Sequence, residues 1–143
     1  MNDVFRPAAR NVFDFLIDDF GFSFTEEPKL NDVHHSIYTS VRYDSASVFI
    51  EIYKEKGQIG LLFGVKGDTQ IIRPYMTHRF ELSEVAPAGF LRWASSITQN
   101  WKQATDDDFL RLLKKILLGD CAAILRGDIE IFETLTAARN QST

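Results

Sequence analysis

The chain has 143 residues, enough for one domain with a core of its own. Its apolar share of 45% and charged share of 25% are those of an ordinary folded protein. No apolar run reaches the roughly 20 residues needed to cross a bilayer. The net charge of −4 comes with no basic stripe able to neutralise a run of phosphates, which excludes the usual footprint of a nucleic-acid binder.

Charge and cysteine usage narrow the class further. Residues 1–36 carry seven acids against three bases, so the whole negative excess lies there. The N-terminal residues lack a basic segment followed by an apolar one, so no signal peptide is expected. Cys121 is the only cysteine, so no internal disulfide can form, and a reducing cytoplasm is the simplest compartment. We expect a single α+β domain over 1–143.

In chain order, the first element is an amphipathic helix from Phe5 to Phe20. Val12, Phe13, Leu16, Ile17 and Phe20 form one apolar stripe, and Pro7 is tolerated in the first turn. Gly21 is placed to end the helix in the left-handed conformation. Asp14, Asp18 and Asp19 lie on the polar side, where like charges one turn apart and acids near a helix C-terminus are mildly unfavourable. They read either as a solvated face or as an acidic contact patch.

Phe22 and Phe24 suggest a short strand, and Thr25 to His35 a loop. The adjacent His34 and His35 would point to opposite sides of a strand and make a poor chelating pair. No Cys or His spacing of a metal site appears, and neither a metal nor a cofactor is expected.

From Ser36 to Arg73 the apolar residues alternate: Ile37 and Val41; Val48, Ile50 and Ile52; Ile59, Leu61, Phe63 and Val65; then Ile71. This period of two predicts a meander of four antiparallel strands with an aliphatic face turned to a core. Lys56-Gly57 fits a two-residue hairpin turn, which sets Ile52 opposite Leu61, Ile50 opposite Phe63 and Val48 opposite Val65. On the other face this register places Tyr53 across from Gly60 and Phe49 across from Gly64, rings covering bare backbone. Taking Ser45-Ala46 as the preceding turn pairs Tyr38 with Tyr53 and Arg42 with Phe49, with Glu51 diagonal to Arg42. That second face, with Tyr38, Arg42, Phe49, Glu51 and Tyr53, reads as half-exposed, as covered by a further layer, or as a binding surface rich in aromatics and Arg.

After Arg73, Pro74 to Phe80 reads as a connector and Ser83 to Gln103 as a helix broken near Pro87 and Gly89. Trp93, Ile97 and Trp101 share one helix face and are expected in the core. Thr105 is a strong N-cap, and Asp106, Asp107 and Asp108 fill the positive first turn of the next helix. Three adjacent carboxylates splay about 100° apart and cannot converge on one ion. The apolar stripe continues from Phe109 to Leu125, with Gly119 either as a kink or as a place where a neighbour comes close, and Cys121 as a small buried hydrophobe. Gly127 ends this helix, and Asp128 starts the last, whose inward residues are Ile129, Phe132 and Leu135. Three or so C-terminal helices are thus expected on one face of the sheet.

No phosphate-cradling glycine pattern, nucleophile elbow or zinc helix is present, and the sheet lacks the charge and motif of an RNA-binding sheet. An enzyme is therefore the less favoured reading. The helix ending at Gly21-Phe22, the strands Ser47-Val48-Phe49-Ile50-Glu51-Ile52 and Gly57-Gln58-Ile59, and the helix closing Ile124-Leu125-Arg126-Gly127-Asp128 together resemble small bacterial proteins of unassigned function. Some of these are immunity proteins encoded beside secreted toxins. The resemblance spans most of the chain, is structural, and carries over no functional residues. It implies a cytoplasmic protein that binds and blocks one cognate toxin.

The expectation is a protein-binding module, monomeric or homodimeric, whose Asp14, Asp18 and Asp19 or whose aromatic sheet face meets a protein partner, such as a basic toxin. Acidic complementarity speeds encounter with such a partner. The alternative is a small-ligand binder or enzyme with a pocket between the sheet and the Trp93–Trp101 helix.

Overall fold

The computed structural model of the chain describes residues 4–25, 38–55, 57–65, 79–100 and 105–141. Within them the fold is α+β: α1 (Phe5–Phe13), α2 (Phe15–Phe20), β1 (Ser23–Thr25), β2 (Tyr38–Asp44), β3 (Val48–Glu55), β4 (Gln58–Val65), β5 (Arg79–Glu81), α3 (Leu82–Val85), α4 (Pro87–Asn100), α5 (Asp106–Asp120), α6 (Ala122–Leu125) and α7 (Glu130–Gln141). The strands form one antiparallel sheet in the order β1-β2-β3-β4-β5.

The expected single first helix is interrupted at Asp14, where backbone bonding continues to Asp18 and Ile17 but the turn tightens. Gly21, with φ of 74°, closes α2, and the Phe22 N–H donates back to the Leu16 carbonyl at 3.0 Å. That is the double closure a left-handed C-terminal residue permits. The chain then enters β1, which pairs Thr25 with Arg42 at the end of the sheet.

The β3–β4 hairpin has the register its turn predicts. Glu55 pairs with Gln58 around Gly57, whose φ is 82°, and Ile52 faces Leu61, Ile50 faces Phe63 and Val48 faces Val65. Tyr53 faces Gly60, where a Cβ would lie 2.6 Å from the phenol Cζ. The hydrogen in place of a methyl is what admits the ring.

The β2–β3 hairpin differs from expectation. Its turn residues are Ala46-Ser47, so Arg42 faces Glu51, Ser40 faces Tyr53 and Tyr38 faces Glu55. Ser45 is the reason. Its N–H donates to the Val48 carbonyl at 2.8 Å, and its Oγ accepts from the N–H groups of Ser47 (3.2 Å) and Val48 (3.0 Å). The turn therefore closes one residue later than Ser45-Ala46 would allow. A further correction concerns the connector, since Arg79–Glu81 forms β5 and pairs Phe80 with Phe63. The expected fourth strand around Ile71 lies outside the described residues, as do His34 and His35.

The core lies between one face of the sheet and the helices. Val41, Tyr43, Ile50, Ile52, Leu61, Phe63 and Phe80 meet Phe13 and Leu16 of the first helices and Leu110, Leu113 and Leu117 of α5. This face is not purely aliphatic, because Tyr43 follows Val41 in the alternation and is fully buried. Phe80 also stacks on Phe132 of α7, with ring centroids 5.6 Å apart.

The helix expected over Ser83–Gln103 breaks at Ala86, and Pro87 opens α4, where its missing N–H costs nothing. Trp93 is in the core as expected, while Trp101 lies outside the described residues. Thr105 caps α5 in a reciprocal box with Asp108, and the long stripe breaks at Cys121 rather than at Gly119. The three aspartates diverge: Asp106 pairs with Lys54 at 2.7 Å, Asp107 with Arg111 at 2.7 Å, and Asp108 returns to Thr105. Gly127, with φ of 90°, ends α6, and Asp128 accepts from the Glu130 N–H at 2.9 Å to start α7.

Candidate functional site

The residues singled out in the sequence fall on two sides of the sheet. Strand alternation sends Ser40, Arg42 and Asp44 of β2, with Phe49, Glu51 and Tyr53 of β3, to the face away from the helical core. Asp14 lies on the helical side, where it meets Tyr43. The acidic first helices and the aromatic sheet face therefore do not combine into one surface.

On the second face, Arg42 is the centre. Its Nε donates to Asp44 Oδ1 at 2.9 Å, and its guanidinium lies 4.1 Å from the centroid of the Phe49 ring. Asp44 also accepts from Thr25 Oγ1 at 2.7 Å, which ties β1 into the cluster. Arg42 is 3% exposed, Phe49 0% and Glu51 1%. Of the three readings open for this face, half-exposed, covered or binding surface, these three residues fit the covered one. The physical reason is visible in their pairing: cross-strand opposition to Glu51, the bond to Asp44 and the ring beneath satisfy a guanidinium that would otherwise be costly to bury.

Tyr53 is half-buried at the same face, and its hydroxyl donates to Glu81 Oε1 at 3.4 Å. Burial first, then the charges of Glu81, Glu55 and Glu51, push its phenol up to about 12. A phenol held neutral in this way is a hydrogen-bond donor, not a general base. Tyr38 stands at the start of β2, and its side chain lies outside the described part.

On the helical side, Asp14 is a junction rather than a solvated acid. It accepts from Arg10 Nε at 2.9 Å, from Arg10 Nη2 at 3.2 Å and from the Tyr43 hydroxyl at 2.6 Å. Partial burial works to raise its pKa, but the hydrogen bonds from Arg10 and Tyr43 and the guanidinium charge outweigh it and hold the carboxyl below its usual range. Arg10 also lies 3.9 Å over the Phe24 ring, and Phe24 meets Tyr43 edge-on at 5.7 Å. Sequence reasoning missed Arg10 and Tyr43. The four-residue spacing of Arg10 and Asp14 was the available signal.

Asp18 and Asp19 are exposed on α2, and among the described residues neither forms an ion pair. On the same helix, Phe15 and Phe20 are half-buried and meet edge-on at 5.9 Å. Lys114 of α5 sits 4.7 Å over the Phe15 ring. Of the expected contact residues with described side chains, these two aspartates alone are exposed.

Chemistry elsewhere is quiet. The Cys121 thiol is pushed up to about 12 by burial and then by Asp120, so it is neither a nucleophile nor a ready metal ligand at ordinary pH. Among the described residues no group of three or more His, Cys, Asp or Glu side chains could hold a metal ion, and no helix is long and apolar enough to cross a membrane. Comparison with known proteins finds no matching family model, no matching curated protein and no matching solved structure.

Proposed function

We propose that the chain is a protein-binding module whose α2 surface meets a partner carrying basic side chains. The observation that carries this reading is the pair Asp18 and Asp19, exposed and without an ion pair among the described residues, on the same short helix as the half-buried rings of Phe15 and Phe20. Acids with aromatics at their side supply both steering and anchoring for a cationic surface. The acidic excess of residues 1–36 acts in the same direction. In its finer form the reading is that of an immunity protein neutralising a basic toxin in the cytoplasm.

The test is co-purification with the product of the adjacent gene, followed by titration of the purified pair. Asp18→Lys with Asp19→Lys should slow association at low salt by about tenfold or more, and the effect should shrink as salt is added. An unchanged association rate in that variant removes α2 from the interface. Asp14 is left intact in this experiment, because it is bonded to Arg10 and Tyr43 within the fold.

A further inference from the structure

We infer that the buried Arg42–Glu51 pair, together with the Ser45 turn, selects the β2–β3 register against a competitor two residues away. Apolar patterning cannot make this choice. With Ser45-Ala46 as the turn, Val41 would face Ile50 instead of Ile52, and every side chain would keep its face, because the side-chain period is two. A one-residue slip inverts the apolar pattern, whereas a two-residue slip preserves it.

Polar groups break the tie. In the observed register Arg42 and Glu51 are directly opposite and almost completely buried. Sliding β2 by two residues, about 7 Å, turns that opposition into a diagonal and sets Glu51 against Ser40. The diagonal lengthens the separation of the two side-chain bases from about 5 Å to about 7–8 Å, which weakens the attraction between two buried charges. The Ser45 bonds to Ser47 and Val48 hold the turn at Ala46-Ser47, and Ser47 Oγ donates to the Gly127 carbonyl at 3.0 Å, tying the turn to the end of α6. The register in turn fixes where Tyr43, next to Arg42, meets Asp14 of the helical layer.

The experiment is nuclear magnetic resonance on the full chain carrying Arg42→Met with Glu51→Leu, which keeps the buried volume but removes the charges. Cross-strand contacts of Val41 with Ile50 should appear beside those of Val41 with Ile52. A single set of resonances with Val41–Ile52 contacts alone overturns the inference. Because removing both charges can also loosen the sheet, Glu51→Gln with Ser45→Ala is read separately by hydrogen exchange. The β2–β3 amides should exchange about tenfold faster or more while the β3–β4 amides stay within about twofold. Equal acceleration in both hairpins, or none in either, also overturns it.

Discussion

The Tyr43 hydroxyl donates to Asp14 Oδ1 at 2.6 Å and so joins the middle of the sheet to the break between the first two helices. Tyr43 has no exposure, whereas Asp14 reaches the surface and is gripped there by Arg10 through both carboxylate oxygens. The bond spans two layers of the fold, and its loss should be felt in both. Tyr43→Phe keeps the ring packed against Phe24 and removes only the hydroxyl. We expect a loss of about 1–3 kcal/mol with an unchanged denaturant slope. Combined with Asp14→Ala in a double-mutant cycle, the two changes should couple by about 1 kcal/mol. Strictly additive losses would mean that the contact contributes nothing of its own.

The same pair shapes the response to pH. The Asp14 carboxyl is held below its ordinary value, so its contribution is present above about pH 4 and is lost as the pH falls through the lower folded-state value. Asp14→Asn should therefore flatten the acid limb of the stability curve, with a modest effect because Arg10 and Asp14 are partly exposed and screened. Tyr43 is raised by burial and then by its bond to Asp14, and Tyr53 is raised to about 12, first by burial. A raised phenol stabilises the fold below its unfolded value of about 10, and that stability is lost as the pH climbs through the folded one. Equilibrium unfolding followed at a series of pH values should thus show a decline beginning above about pH 10. Persistence of full stability there would contradict the burial of both phenols.

How far the sequence discloses the fold depends on where the deciding groups sit. The β3–β4 register was readable because Gly57 marks its own turn and Gly60 can tolerate the Tyr53 ring. The start of α5 is readable because Thr105 is a strong N-cap and the three aspartates that suit a first turn follow it directly. The β2–β3 turn was not, since neither Ser45-Ala46 nor Ala46-Ser47 contains a residue that favours positive φ, and the choice rests on side-chain oxygen bonds. β5 is three residues long, too short to show an alternation. Asp14 looked like a surface acid because its partner Tyr43 is 29 positions away, and no local pattern reports a contact of that range. Whether Arg42 and Glu51 are covered or open stays undecided in the sequence for the opposite reason: charges on a strand usually mark solvent, and only the packing shows them enclosed.

Gly60 offers a direct check of the second face. A Cβ at this position would press on the outer end of the Tyr53 ring, which can swing aside, unlike backbone. Gly60→Ala should therefore cost little stability, about 1 kcal/mol, while moving the ring away from Glu81 and into solvent. The Tyr53 phenol, raised to about 12 in the native chain, should return toward about 10 in the variant, read by ultraviolet titration against a Tyr53→Phe control. A titration curve unchanged by the substitution would mean that the ring does not lie over Gly60.

Arg42 distinguishes an enclosed sheet face from an open one most sharply. If the residue merely decorated a surface, Arg42→Lys would change stability by less than about 0.5 kcal/mol. In the observed arrangement the substitution removes the planar group that lies over Phe49 and the Nε that donates to Asp44, and lysine offers a single mobile ammonium in their place. The cost should be about 1–3 kcal/mol. It should also be nearly independent of salt, because a pair with side chains 4% and 11% exposed is shielded from mobile ions. Urea unfolding at low and high ionic strength separates the alternatives. A small loss that vanishes in salt would place Arg42 at an open surface, whereas a loss that persists in salt identifies it as an interior charge held by its own strand, by Asp44 and by the aromatic ring beneath.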